Sequence, residues 1–124
     1  MASTCDDLVG VPFQVGGRSR DGGFDCWGLV REVFSRYGIA LPEWVTDAVR
    51  ERRSGRWKEA DLSATPPLAV SMSMRSPWID HVAVYVGDGQ IVHALKGVGV
   101  CIEPLARWSH RLRGVFRYVD ADYA

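Results

Sequence analysis

Residues 81–95, HVAVYVGDGQIVHAL, constrain the fold more than any other stretch. Two runs rich in β-branched residues flank Gly87-Asp88-Gly89, and such a junction supplies the positive φ angles that a tight hairpin needs. The spacing predicts strands over 81–86 and 90–95 joined by a three-residue loop, with Val86 opposite Gln90. Paired positions then sum to an even number. Because side chains alternate along a strand, every even sum places His81 and His93 on one face. That face also carries Ala83, Tyr85, Ile91 and Leu95. The other carries Val82, Val84, Val86, Val92 and Ala94 and is wholly apolar, so it is the expected core face. Ala83, small and between the two imidazoles, is expected to leave space there for a helix end. An odd sum would bury His93 among the valines and separate the histidines.

The expected helix is upstream. Residues 10–24 are rich in glycine and polar residues and read as a loop. Asp25 is a good N-cap, and Leu29, Val30, Val33, Phe34 and Tyr37 recur on one face of the helix that follows. Gly38 suits a C-terminal glycine cap, and Pro42 blocks continuation. Residues 43–53 are expected to form a second, weaker helix, and residues 54–67 an irregular stretch ending in Pro66-Pro67. From Leu68 the period becomes two: Leu68, Val70, Met72 and Met74 alternate with Ala69, Ser71 and Ser73, which predicts a strand with one buried face. Val100–Pro104 and Gly114–Val119 complete the sheet. One helix-rich half followed by an antiparallel sheet is an α+β domain. No repeat or linker divides residues 1–124, a length that suits one core.

Composition removes several functions. The 15 basic and 15 acidic residues cancel, so no nucleic-acid partner is expected. Two local basic clusters, one at Arg50, Arg52, Arg53, Arg56 and Lys58, the other at Arg107, His110, Arg111, Arg113 and Arg117, are solvated faces or docking surfaces for an anionic polymer or a partner protein. The three cysteines, Cys5, Cys26 and Cys101, are odd in number and far apart, so neither a zinc site nor a disulfide framework is expected. The first ten residues lack the basic and apolar regions of a signal peptide, and no run approaches the roughly 20 apolar residues of a membrane span. The expectation is synthesis in the cytoplasm.

The chemistry centres on Cys26, at the turn from loop to helix. Thiolate is the reactive form of cysteine, and a helix start favours it through free N–H groups and the macrodipole. Those groups can also stabilise an oxyanion. A thiol there, followed by two strand-borne imidazoles, is the constellation of a cysteine hydrolase: Cys26 as nucleophile, His81 as general base and acid, His93 orienting His81. The bland alternatives are a buried Cys26 and two packed histidines. Asp25 could cap the helix or meet a substrate amine. Trp27 could wall the cleft or pack on the sheet. Phe13 and Arg18, in the preceding loop, are further candidate substrate contacts. No metal or organic cofactor is implied.

Three blocks carry a resemblance. Phe24-Asp25-Cys26-Trp27-Gly28-Leu29-Val30 resembles the D-C-x-G-L-V signature of the NlpC family of cell-wall cysteine peptidases. Residues Asp80 to Ala94 resemble that family's H-V-G-I-Y-x-G-x-G-x-x-I-H-A block, and Val11-Pro12-Phe13-Gln14-Val15-Gly16-Gly17 its P-Y-x-x-G-G block. Together they cover about a third of the chain in the right order. The resemblance implies a papain-like fold and cleavage of peptidoglycan stem peptides, typically next to D-glutamate and diaminopimelate. It matches Cys26, His81 and His93 to the nucleophile, the base and the third polar residue. Trp27 and the ending Arg107-Trp108…Gly114-Val115-Phe116-Arg117 look most like the bacteriophage tail-associated branch, which implies carriage by a tail tip or baseplate. Phe13 stands where the family often has tyrosine, and Thr65-Pro66-Pro67-Leu68 replaces its P-G-D. The competing functions are a structural tail component with a vestigial site, and a thiol amidase or acyltransferase on another substrate.

Overall fold

The computed structural model describes residues 5–42 and 55–119. Strands β1 (Arg18–Ser19) and β2 (Gly23–Phe24) form a small hairpin ahead of the helix α1 (Cys26–Arg36). Six further strands follow: β3 (Trp57–Glu59), β4 (Leu68–Met72), β5 (His81–Gly87), β6 (Gln90–Leu95), β7 (Gly99–Pro104) and β8 (Leu112–Tyr118). They make one antiparallel sheet in the order β3-β8-β4-β5-β6-β7. Among the described residues the fold is α+β, one α-helix packed on a six-stranded sheet. The helix expected over 43–53 lies outside the described residues, as do Arg50, Arg52 and Arg53.

The helix forms where its capping residues stand. The Asp25 carboxylate accepts from the Gly28 N–H at 2.6 Å, satisfying one of the donors that a helix start leaves unpaired. At the other end Gly38 adopts φ +82°, and the Gly38 and Ile39 N–H groups bond the carbonyls of Ser35 and Phe34. That is a Schellman stop, which glycine accepts without steric cost. Leu29, Val30, Val33 and Phe34 are buried against Val84, Val92, Ala94, Val100 and Phe116.

Several expectations need correction. The stretch 54–67 contains β3, whose Trp57 meets Phe34 and Tyr118 edge to face at 5.7 and 4.9 Å. A three-residue strand is too short to display a period. β4 does not have one buried face: Leu68, Ala69, Val70 and Met72 are all buried, because β4 lies between β5 and β8 with apolar clusters on both sides. It ends at Met72, with Met74 beyond it. Residues Leu105–Arg111, read from sequence only as part of an Arg-rich stretch, form a 3-10 segment.

The hairpin differs in its turn but not in its parity. Gly87 pairs with Gln90, so the loop is the two-residue turn Asp88-Gly89, with φ of 55° and 74°. Both angles are positive, as the primed hairpin turn requires. A register shift between Tyr85 and Gly87 then adds back the residue that the shorter turn removed. Above it Tyr85 faces Ile91 and Val84 faces Val92, the even sum that leaves His81 and His93 on one face.

The histidine face is not open. Ala83, Tyr85 and Ile91 join Leu68, Val70, Met72 and Leu105 in a second buried cluster, and α1 packs on the opposite face, the one carrying Val84, Val92 and Ala94. Ala83 is fully buried in that cluster together with Leu105, and Trp108 of the 3-10 segment after β7 packs against it, so the space expected for a helix end is not open.

Candidate active site

Cys26 begins α1 and His81 begins β5. The loop before the helix is held against it closely enough to exclude a methyl group. A Cβ on Gly28 would sit 2.0 Å from the Gly17 carbonyl oxygen. Gly17 O also accepts from the Asp25 N–H, and Arg18 bonds both Gly17 O and the Asp25 carboxylate, the latter at 2.7 Å. This bracing fixes where the helix starts, and so where the thiol lies. The backbone N–H groups of Val82, Trp27 and Cys26 itself lie near enough to the sulfur to favour its charged form. The Cys26 thiol therefore lies against the first turn of its own helix and at the start of β5, beside the residue that follows His81.

The two histidines meet directly. His81 Nε2 lies 3.0 Å from His93 Nδ1, and His93 Nε2 lies 2.7 Å from the Glu103 carboxylate. The same Glu103 oxygen accepts from the Trp108 indole N–H at 2.9 Å, with the Cys101 sulfur 3.6 Å away, and Arg107 holds the second oxygen at 3.0 Å. The Trp108 ring stands edge-on to His93 at 5.7 Å. His93 is fully buried and His81 is 9% exposed.

Burial sets the resting charges. It brings His81 down to about 4, helped by the neighbouring His93 and opposed by Asp80. It lowers His93 too, against the pull of Glu103. Both rings are neutral at pH 7. Burial works to raise Glu103, but the His93 and Trp108 hydrogen bonds outweigh it and hold the carboxyl below its usual range. For Cys26 the sequence expectation reverses. Burial, with the Asp25 charge behind it, pushes the thiol up despite the three N–H groups that favour thiolate. Desolvation of an anion outweighs the helix start here, and the resting pair is thiol and imidazole.

The remaining predicted residues have definite partners. Asp25 caps the helix and pairs with Arg18, so each braces the loop. Trp27 donates its indole N–H to Pro42 O at 3.1 Å and packs against the first apolar cluster. Phe13 bridges Phe24 and is partly buried against the same cluster. Sequence reasoning missed Glu103, Trp108 and Arg107. A register for β7 would have found the first: Glu103 pairs with Ile91 and Cys101 with His93, which puts an acidic side chain on the histidine face.

His93, Cys101 and Glu103 each bring a donor atom to within 4.8 Å of the others, the composition of a metal set. An ion there would have to displace the His93–Glu103 hydrogen bond and compete with Trp108 for the same oxygen. The hydrogen bonds already account for the grouping. No helix among the described residues is long and apolar enough to cross a membrane.

A model of the NlpC/P60 family matches residues 10–117. A gamma-DL-glutamyl hydrolase of Bacillus subtilis is 32% identical over 128 residues, covering 100% of this chain and 30% of the relative. A probable endopeptidase NlpC homolog of Haemophilus influenzae is 31% identical over 112 residues, covering 85% of this chain and 53% of its own length. The chain thus spans between about a third and a half of these curated relatives. Among solved structures, an NLP/P60 family protein of Staphylococcus aureus, similar to lipoprotein, superposes with a TM-score of 0.69 at 25% identity, over 92% of this chain and 38% of that one. The NlpC/P60 domain of the peptidoglycan hydrolase SagA shares the fold, with a TM-score of 0.64 at 24% identity over 90% of both chains.

Proposed function

Since this chain belongs to the NlpC/P60 family, we propose that it is a cysteine endopeptidase that cuts an amide bond in peptidoglycan stem peptides. The observation that carries the reading is the Cys26 thiol at the start of α1, close to the N–H of Val82, the residue after a His81 whose Nε2 lies 3.0 Å from His93 Nδ1. With Nε2 committed, Nδ1 is the ring atom of His81 left to take the thiol proton. The thiol gives that proton to Nδ1 as sulfur attacks the scissile carbonyl. The imidazolium then protonates the leaving amine, and water, deprotonated by the same nitrogen, hydrolyses the thioester. The Cys26 and Trp27 N–H groups are the first-turn donors available to the oxyanion, because the Gly28 and Leu29 N–H groups are bonded to Asp25.

Relatives named as a gamma-DL-glutamyl hydrolase and a DL-endopeptidase support a glutamyl bond between D and L residues, while diaminopimelate as its partner rests on the motif resemblance. Carriage by a phage-type tail rests on the resemblance of Trp27 and the 107–117 ending alone. It predicts that the protein co-purifies with particles and that charge reversal at Arg111 and Arg113 lowers its incorporation.

The test of the enzymatic reading is digestion of purified peptidoglycan followed by mass analysis of the products. A cut stem peptide that disappears with His81→Ala is the expected result. Intact stems with a folded wild-type protein would favour a structural component. An acyl group transferred to another acceptor would favour an acyltransferase.

A further inference from the structure

We propose that Glu103 is a positioning residue that sets the direction of the proton chain, so that His81 presents a lone pair to Cys26. The inference rests on the assignment of Cys26 and His81 above, and it follows from counting protons along three side chains.

An ionised carboxylate only accepts hydrogen bonds. Glu103 is held ionised by four donors: the His93 ring, the Trp108 indole, the Cys101 thiol and Arg107. The proton of neutral His93 must therefore lie on Nε2, which faces the carboxylate at 2.7 Å. Its Nδ1 is then an acceptor, and the 3.0 Å contact makes His81 Nε2 the donor. Neutral His81 has one proton, so its Nδ1 is bare and can act as the base. Remove the carboxylate and the order can invert. His93 can carry its proton on Nδ1 and donate to His81 Nε2, which moves the His81 proton to Nδ1. His81 would then direct an N–H at the thiol and could not take its proton.

The carboxylate has a second effect. When the thiol proton reaches Nδ1, the new charge on His81 is stabilised through the intervening His93 by the Glu103 anion. Glu103 stays ionised throughout, and no proton leaves the chain before the amine is protonated. The setting suits a fixed anchor. Glu103 is on β7 opposite Ile91, its side chain is 14% exposed, and Arg107 stacks over Trp108 at 5.9 Å, closing the anchor from outside. The Leu105 N–H bonds Gly89 O at 2.8 Å, which ties the 3-10 segment to the hairpin turn. Among the described residues, Glu103 is the acidic group within hydrogen-bond reach of either histidine.

The magnitude lies between two known limits. Removing an outer partner of a metal-bound histidine costs about 10–100-fold, and presenting the wrong tautomer in a serine triad costs about 10⁴-fold. Glu103 acts one imidazole further away, so Glu103→Leu should lower kcat by about 10²-fold. KM should hold, because Glu103 does not touch substrate.

The experiment compares wild type, Glu103→Gln and Glu103→Leu by steady-state kinetics on a stem peptide and by ¹⁵N NMR of the histidine rings at pH 7. Glu103→Gln keeps the shape and an acceptor oxygen, so it should fold as wild type and lose less turnover than Glu103→Leu. In wild type the His81 proton should reside on Nε2. In Glu103→Leu a fraction should move to Nδ1, with kcat falling and KM unchanged. Wild-type tautomers and kcat in a folded Glu103→Leu protein would overturn the proposal, as would a wild-type His81 already protonated on Nδ1. The NMR arm is independent of catalysis. A tautomer shift in a protein that cleaves no stem peptide would uphold the positioning role and refute the proposed function.

Discussion

Acid should weaken this fold before it protonates most carboxylates, because His81 is buried as a neutral ring. Its affinity for a proton falls from an ordinary 6.5 to about 4 in the folded protein, chiefly by burial and then by the facing His93. Between those values the unfolded chain binds a proton that the folded chain refuses. Stability therefore rises with pH across the window, is fully present above 6.5 and is lost as pH falls toward 4. Each tenfold difference in proton affinity is worth about 1.4 kcal/mol, so the full effect is about 3 kcal/mol, of which about 2 kcal/mol is lost by pH 5. His93, also lowered by burial, acts in the same direction. Against a typical domain stability of about 5–15 kcal/mol this is a large fraction. Urea unfolding followed by tryptophan fluorescence at pH 7 and pH 5 measures it. Wild type should lose at least about 2 kcal/mol, and His81→Gln should lose correspondingly less. Equal stability of wild type at the two pH values, or the same loss in His81→Gln, would refute the reasoning.

Three further outcomes follow from named contacts. Gly28→Ala places a methyl group 2.0 Å from the Gly17 carbonyl, an overlap that the loop can relieve only by moving away from the helix. It should lower stability by about 1–3 kcal/mol in thermal or urea unfolding and remove turnover. Asp25→Asn keeps a side-chain acceptor for the Gly28 N–H but ends the Arg18 ion pair, whereas Asp25→Ala ends both; the alanine variant should be less stable by about 1 kcal/mol, measured by denaturant midpoint. Iodoacetamide at pH 8 should label Cys26 before the fully buried Cys5 and before Cys101, whose thiol burial and Glu103 push up to about 11; peptide mapping over time reads the order.

What could be read in advance was local. Asp25, the apolar stripe from Leu29 to Phe34 and Gly38 each act within a turn or two of the chain, and the helix starts and stops where they stand. The histidine parity was legible because a strand's period is two; it survived a wrong loop length since the shift after Tyr85 replaced the residue that the shorter turn removed. The contacts that escaped detection join distant segments. Trp57 becomes a strand by pairing with Tyr118, and β4 is buried on both faces only because β5 and β8 flank it. Glu103 reaches His93 through the β6–β7 register, and Trp108 through the fold of the segment after it. The thiol's raised proton affinity depends on partial burial by the surrounding fold, which no motif around Cys26 encodes.

Trapping the covalent intermediate tests the central claim most directly. The purified protein is mixed with a D-glutamate–diaminopimelate stem peptide, quenched in acid at short times, and analysed by intact mass and peptide mapping. A transient adduct of the amino-side stem fragment should appear as a thioester on Cys26, decay as product accumulates, and be absent in Cys26→Ala. Stem cleavage at the wild-type rate by Cys26→Ala, or an adduct carried by Cys5 or Cys101, would contradict the assignment of Cys26 as the nucleophile.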